Sequence, residues 1–66
     1  METKLRSKLI EAIEYRDETR RLKVYMTNGQ RREYDCVPKG VVAGLTRAQS
    51  PGRFYMMEIR GRYPSL

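Results

Sequence analysis

Three segments of the chain alternate apolar and polar residues with a period of two, and this pattern limits the fold more than any other feature. Such alternation is typical of strands that have one buried face. The apolar members are Ile13 and Tyr15, then Leu22, Val24 and Met26, then Tyr34 and Cys36. We therefore predict strands at about 9–16, 21–27 and 30–36.

The turn at Asn28-Gly29 determines how the second and third strands pair. A two-residue turn there would set carboxylates opposite apolar residues, because a register slip of one residue moves every side chain to the other face. A three-residue loop with Gly29 in the left-handed conformation pairs Leu22 with Tyr34 instead. The pattern thus favours an antiparallel β-meander in which the 21–27 strand is central.

The turn around Glu18-Thr19 gives a consistent register for the first and second strands. It places Glu14 opposite Lys23, and the Gly29 loop places Lys23 opposite Glu33. The outer face of the sheet then carries a ladder of alternating charges. Cross-strand pairs of opposite charge each contribute about 0.2–1 kcal/mol.

After Val37 the period becomes helical. Proline is favourable at the start of a helix, where its missing N–H would have no partner, and both Pro38 and the Ser50-Pro51 pair fit such a start. The apolar residues at helical spacing are Val41, Val42, Leu45 and Ala48, then Tyr55, Ile59 and Tyr63. We predict two C-terminal helices, at about 38–48 and 51–61, packed against one face of the meander.

The remaining N-terminal residues, 1–8, do not alternate clearly. Leu5 and Leu9 are spaced like a helix face, so we expect a loose or short helical arm there. A chain of 66 residues has room for one thin core, and we treat residues 1–66 as a single α+β domain.

Several classes of protein are disfavoured by composition. Cys36 is the only cysteine and histidine is absent, so an internal disulfide is impossible and the usual zinc sites cannot form. No apolar run approaches the ~18 residues of a membrane span, and the first residues do not resemble a signal peptide. We expect a cytoplasmic protein with no membrane partner, no cofactor and no metal.

The net charge is +6, from 14 Lys and Arg against 8 Asp and Glu, and the excess is greatest near the C-terminus. Residues 38–66 contain five basic residues and only Glu58 as an acid, which gives +4. A positive charge of this size indicates partners such as nucleic acid.

The order and spacing of these residues, from Ser7 to Pro64, resemble the KTSC domain, a module named for its occurrence at the C-terminus of some lysyl-tRNA synthetases. The motifs that carry the resemblance are Val37-Pro38, Ser50-Pro51-Gly52 followed by Phe54, and Ile59-Arg60. Arg32 departs from the pattern, since the family usually has an aromatic residue there. The synthetase context suggests RNA, although a shared fold does not imply a shared function.

We expect no catalytic activity, because histidine is missing as a general base and as an activator of a nucleophile. The other reactive side chains have ordinary structural explanations. Positions in turns explain three carboxylates, those of Asp17, Glu18 and Asp35. Packing in a small core explains three tyrosines, Tyr15, Tyr34 and Tyr63. We expect Cys36 to pack as a small apolar residue beside Pro38.

Two basic surfaces are candidates for nucleic-acid binding, RNA or DNA, and each has a solvated surface as its simpler explanation. The first comprises Arg47, Arg53, Arg60 and Arg62, with Ser50–Gly52 as a candidate phosphate cradle. The second is the outer sheet face around Tyr25 and Arg31. For Arg60 the alternative is an internal salt bridge to Asp35 or Asp17.

A protein-docking module is the alternative function. Met26, Met56 and Met57 are an unusual supply of flexible apolar side chains for a short chain, although methionines more often fill a core. Such a module would bind a protein partner with little dependence on salt. We expect a monomer or a weak dimer in either case.

Overall fold

A computed structural model describes residues 2–66, in which four strands form one antiparallel sheet in the order β1-β2-β3-β4. The strands are β1 (Glu2–Lys4), β2 (Ile10–Arg16), β3 (Arg21–Met26) and β4 (Arg31–Tyr34). The helices are α1 (Lys39–Arg47) and α2 (Pro51–Phe54), and α2 continues into a π-helical segment (Tyr55–Ile59). The predicted α+β architecture of an antiparallel sheet with two C-terminal helices is therefore confirmed.

The predicted strand registers are also confirmed. Tyr15 pairs with Leu22, and Leu22 pairs with Tyr34, so the three side chains form one row. Three residues, 27–29, form the loop between Met26 and Gln30, which is closed by a 2.8 Å hydrogen bond from the Met26 N–H to the Gln30 carbonyl. Gly29 has a φ of 90° there, a conformation that favours glycine.

The sheet has four strands, so the prediction of three was wrong. Residues 2–4, predicted as part of a loose or short helical arm, form β1, and Thr3 pairs with Ile13. A turn at Ser7 explains the difference, because its Oγ accepts hydrogen bonds from the N–H groups of Leu9, at 3.1 Å, and Ile10, at 3.2 Å. This turn reverses the chain, and the helical spacing of leucines is coincidental.

The second helical element is shorter and wider than predicted. The structure has an α-helical turn and then a π-helical segment that ends at Ile59, instead of an α-helix over 51–61. The N–H of Arg60 donates to the carbonyl of Tyr55 at 2.9 Å, five residues back. Beyond Arg60, Gly61 has a φ of 78°, which turns the chain out of the helix.

The core lies between the inner face of the sheet and the helical elements. It contains no buried charged side chain among residues 2–66. Three tyrosine hydroxyls are satisfied inside it: Tyr15 donates to the Val37 carbonyl at 2.7 Å, and Tyr34 shares a hydrogen bond with Tyr55 at 2.5 Å. Its buried apolar residues are Ile10, Ile13, Tyr15, Leu22, Val24, Met26, Tyr34, Val37, Val42, Leu45, Tyr55 and Ile59.

The C-terminal residues pair with the edge of β4. Ser65 forms a β-bridge with Tyr34, and the N–H of Leu66 donates to the Glu33 carbonyl at 2.9 Å. The N–H of Asp35 donates to the Pro64 carbonyl at the same distance, 2.9 Å. The hydrogen-bonding groups of this edge are therefore covered by the chain itself at Glu33 and Asp35.

Cys36 is exposed and has a φ of 58°, so the prediction that it packs as a small apolar residue was wrong. Its N–H donates to the Asp35 carboxylate at 2.9 Å, and this contact accompanies a tight left-handed turn before Val37. A side chain in that conformation is strained, because Cβ crowds the following carbonyl oxygen.

Replacing Cys36 by glycine is therefore expected to raise the free energy of unfolding, by about 0.5–1 kcal/mol relative to Cys36→Ala. Alanine removes the thiol as glycine does but retains Cβ, so it is the matched control. Urea unfolding followed by circular dichroism measures the difference. A Cys36→Gly protein that is less stable than Cys36→Ala would show that the left-handed turn is not strained.

Candidate nucleic-acid interface

The outer face of the sheet carries the predicted charge ladder. The Lys23 ammonium lies 3.7 Å from a Glu14 carboxylate oxygen and 3.8 Å from one of Glu33. Arg31 lies 4.0 Å from Glu33, and Tyr25 pairs with Arg31 in the register of β3 and β4. The positive charges around Tyr25 are thus largely compensated, and this face offers little attraction to an anion.

Six cations on the helical side and in the neighbouring segment 6–8 have no ion-pair partner in the part of the chain that the structure describes. Within residues 2–66, no carboxylate oxygen lies within 4.0 Å of their charged nitrogens. These residues are Arg6, Lys8, Arg47, Arg53, Arg60 and Arg62, and all six are exposed. Their charges are available to an external anion.

An open cavity of about 360 Å³ brings three of these cations together. Its walls are the segments 6–9 and 49–53, and Met56 lies at one side. Arg6, Lys8 and Arg53 supply positive charge, and none of the described residues that line the cavity is acidic. We refer to this feature as the basic cavity.

The close approach of two distant segments creates the basic cavity. A Cβ atom placed on Gly52 would lie 3.2 Å from the Cβ of Leu9 and 3.3 Å from the Oγ of Ser7. Only glycine, which has no Cβ, fits well this close to Leu9 and Ser7. The packing of Gly52 on these residues also holds the next residue in the chain, Arg53, beside Arg6. Sequence reasoning missed Arg6 and Lys8, because nothing in the local pattern shows that the Ser7 turn packs on Gly52.

Ser50 caps α2 as its sequence context predicts. Its Oγ accepts a hydrogen bond from the N–H of Arg53 at 3.4 Å. Gly52 is buried against the Ser7 turn, so its main chain is not open to solvent as the predicted phosphate cradle would require. The attraction to anions at this position comes from the surrounding side chains.

Arg60 lies next to the basic cavity. Its guanidinium Nη1 is 3.6 Å from the Sδ of Met56, which itself lines the cavity. Neither Asp35 nor Asp17 forms the alternative salt bridge with Arg60, since each pairs with another cation. We define the basic strip as Arg6, Lys8, Arg53 and Arg60.

The other two predicted arginines are separate from this strip. Arg47 lines a larger cavity, of about 680 Å³, between α1 and β2, and Arg62 lines neither cavity. The larger cavity has mixed charge and contains the ion pair between Lys39 and Asp17, at 3.6 Å. Its acidic residues are Glu2, Glu14, Asp17 and Glu18.

Arg32, which departs from the family pattern, lies at the edge of the inner face. Its guanidinium donates to the side-chain oxygen of Gln30 at 3.2 Å, and Val24, its partner in β3, remains fully buried. Burial and the hydrogen bond with Tyr34 raise the pKa of Tyr55 to about 12, whereas Arg32 and Arg60 partly oppose this increase. Positive potential from both arginines therefore reaches the same hydroxyl.

Residues 2–66 contain neither a metal-binding cluster nor a membrane-spanning helix. No group of three or more Asp, Glu or Cys side chains there is arranged to hold a metal ion. None of the helices in that part of the chain has the length and apolar character needed to cross a membrane.

The sheet, the two helices and the basic cavity together define a small α+β domain with a cationic helical side. The family model for the KTSC domain matches residues 6–63, so the chain belongs to the KTSC domain family, as the sequence motifs indicate. The crystal structure of a KTSC domain protein from Yersinia pestis is similar, with a TM-score of 0.94 and 24% sequence identity. The alignment covers 100% of this chain and 93% of that one, and it shows the shared fold. No curated protein matched the chain.

Proposed function

We propose that this domain binds nucleic acid, RNA or DNA, by contacting the phosphate backbone with the basic strip. The observation that supports this function is the group of cations around the basic cavity, which have no carboxylate oxygen of the described residues within 4.0 Å and surround a cavity whose described lining contains no acidic residue. Exposed cations of this kind neutralise phosphates and release the counterions condensed on the polymer. We assign no catalytic step to the domain.

The length of the basic strip suits several phosphates. Arg53 lies in α2 and Arg60 directly follows the π-helical segment, seven residues later, which corresponds to at most about 10 Å at the α-helical rise of ~1.5 Å per residue. One strand of B-DNA presents a phosphate about every 3.4 Å along the helix axis. The strip therefore spans about three phosphates, and Arg6 and Lys8 extend it at one end.

Binding should be tolerant of sequence. Among residues 2–66, no aromatic side chain lines the basic cavity. Tyr25, which we considered as a stacking platform, lies on the outer sheet face. Phosphate contacts position a protein on nucleic acid but carry no base information directly.

Fluorescence anisotropy with labelled tRNA, single-stranded DNA and duplex DNA tests the proposal at about 50 and 200 mM salt. Four neutralised phosphates predict that affinity falls about 50-fold for single strands and about 150-fold for duplex DNA over this range. Absence of binding to all three probes at the lower salt concentration would reject the proposal.

Variants locate the interface. Arg53→Ala and Arg60→Ala should each weaken binding to every probe and reduce the salt slope by about 1. Arg31→Ala is the matched control, because it removes the same charge from the compensated outer face. It should change affinity by less than about twofold. Equal losses in Arg31→Ala and Arg53→Ala would mean that net charge alone, and no defined site, causes binding.

Protein docking is the second candidate function. Met56 and Met57 have 45% and 56% of their surface exposed, whereas Met26 lies in the core. Flexible methionines on a surface are common where a protein adapts to apolar partners. This function predicts self-association or dye binding that salt barely affects, and analytical ultracentrifugation at low and high salt distinguishes it from the first.

A further inference from the structure

We infer that the basic cavity receives one unpaired nucleotide, with its phosphate against the cations and its sugar or base against an apolar wall. This inference rests on the proposed function and specifies its ligand. It predicts that the domain prefers single strands and strand ends to continuous duplex.

The size of the basic cavity supports a ligand larger than a phosphate. Its volume of about 360 Å³ lies within the range of about 300–1,000 Å³ that is typical of small-ligand sites. A phosphate group alone would leave most of this space to water. A nucleotide adds a sugar and a base, which occupy it more completely.

The walls of the basic cavity have a charged part and an apolar part. One part carries the cations described above, and the other carries Leu9, Pro51 and Met56. Pro51 is buried and Leu9 packs against the core, so two of these apolar groups are fixed in place. A site for phosphate alone has no use for an apolar wall, whereas a sugar or a base gains from removing apolar surface from water.

The shape of the basic cavity favours an unpaired nucleotide. Two segments, 6–9 and 49–53, form its walls and pack closely at Ser7 and Gly52, so a ligand group enters the cavity from its open side. A base within a duplex is stacked and paired, and exposing it costs unstacking energy. In a single strand or at an end this cost is small. The guanidinium plane of Arg53 can stack on any base, and the thioether of Met56 adapts to its outline, so base identity should matter little.

Nuclear magnetic resonance titration of the ¹⁵N-labelled protein tests whether the cavity takes a nucleotide. A nucleoside monophosphate should shift amide signals of residues 6–9, 49, 50, 52 and 53, and bind at least about fivefold more tightly than inorganic phosphate. Equal affinity for the two probes, with the same shifts, would mean that the site takes phosphate only and would overturn the inference.

A methionine pair provides matched variants for the polymer. Met56 lines the basic cavity and Met57 does not, although both are exposed. Met56→Ala should weaken binding to a single-stranded oligonucleotide about fivefold more than it weakens binding to duplex DNA, whereas Met57→Ala should leave both affinities unchanged. Equal effects of the two substitutions would reject the apolar wall.

The same anisotropy data separate this inference from the proposed function. If no polynucleotide binds at about 50 mM salt, both fail. If single strands and a duplex of the same sequence bind equally, with steep salt dependence, the proposed nucleic-acid binding stands and the nucleotide site is wrong. A preference for single strands that Met56→Ala abolishes supports both.

Discussion

Replacing Ile59 by alanine is expected to lower the free energy of unfolding by about 2–5 kcal/mol. Ile59 is fully buried and is the last residue of the π-helical segment, so its side chain closes the core from the helical side. Domains have a total stability of about 0.05–0.15 kcal/mol per residue, which gives about 3–10 kcal/mol for 66 residues. The substitution thus removes a large share of the total, as urea unfolding followed by circular dichroism can measure.

Met57→Ala is the control for Ile59→Ala, because Met57 belongs to the same segment and is exposed. Its loss of stability should stay within about 0.5 kcal/mol. A loss of less than about 1 kcal/mol in Ile59→Ala, or equal losses in both variants, would show that the π-helical segment does not pack on the sheet in this way.

A second large effect is expected at alkaline pH, where stability should fall by about 2–3 kcal/mol between pH 10 and 12. The pKa of Tyr55 is raised from 10.0 to about 12, mainly by burial. Below pH 10 both the folded and the unfolded chain keep this phenol neutral, so stability is unaffected. Above pH 10 the unfolded chain releases the proton first, and unfolding becomes more favourable until pH exceeds the folded pKa.

Burial also raises the pKa of Tyr15, so this group contributes in the same direction. Urea midpoints measured at several pH values from about 9 to 12 test the expectation. Tyr55→Phe should flatten the pH dependence. At neutral pH it should cost about 1–3 kcal/mol, because the Tyr34 hydroxyl loses its partner. Tyr25→Phe on the outer face should keep the original dependence, and a flattening there of equal size would contradict the assignment to Tyr55.

Strands β2, β3 and β4 could be predicted from the sequence because two constraints agree. Alternation assigns one face to the core, and Gly29 permits the only loop that keeps Tyr34 on that face. β1 could not be predicted, since Glu2–Lys4 contains no apolar residue and joins the sheet only through main-chain pairing with β2. A three-residue edge strand of this kind shows no alternation of apolar and polar residues from which it could be predicted.

The candidate site could be predicted only in part. Arg60 follows from the Ile59-Arg60 motif and Arg53 from the excess of charge near the C-terminus, and the structure places both beside Met56. Arg6 and Lys8 depend on the packing of Ser7 against Gly52, which are 45 positions apart in the sequence. Contacts of such long range leave no local periodicity.

The difference between an α-helix and a π-helix is similarly hidden from the sequence. Tyr55 and Ile59 are four residues apart, and this spacing fits either geometry. The wider turn appears only where the N–H of Arg60 reaches back five residues to the carbonyl of Tyr55. It ends the helix at Ile59, so Arg60 follows the last helical turn and does not lie within it.

The pairing of Ser65 with Tyr34 affects how the chain can be re-engineered. β1 forms one edge of the sheet and the C-terminal residues cover the other. Four inter-strand steps of about 4.8 Å then separate the two ends, a distance of about 19 Å. Circular permutation would need a joining linker of at least about six extended residues. Because the helices occupy the inner face of the sheet, such a linker would have to cross the charge ladder on the outer face.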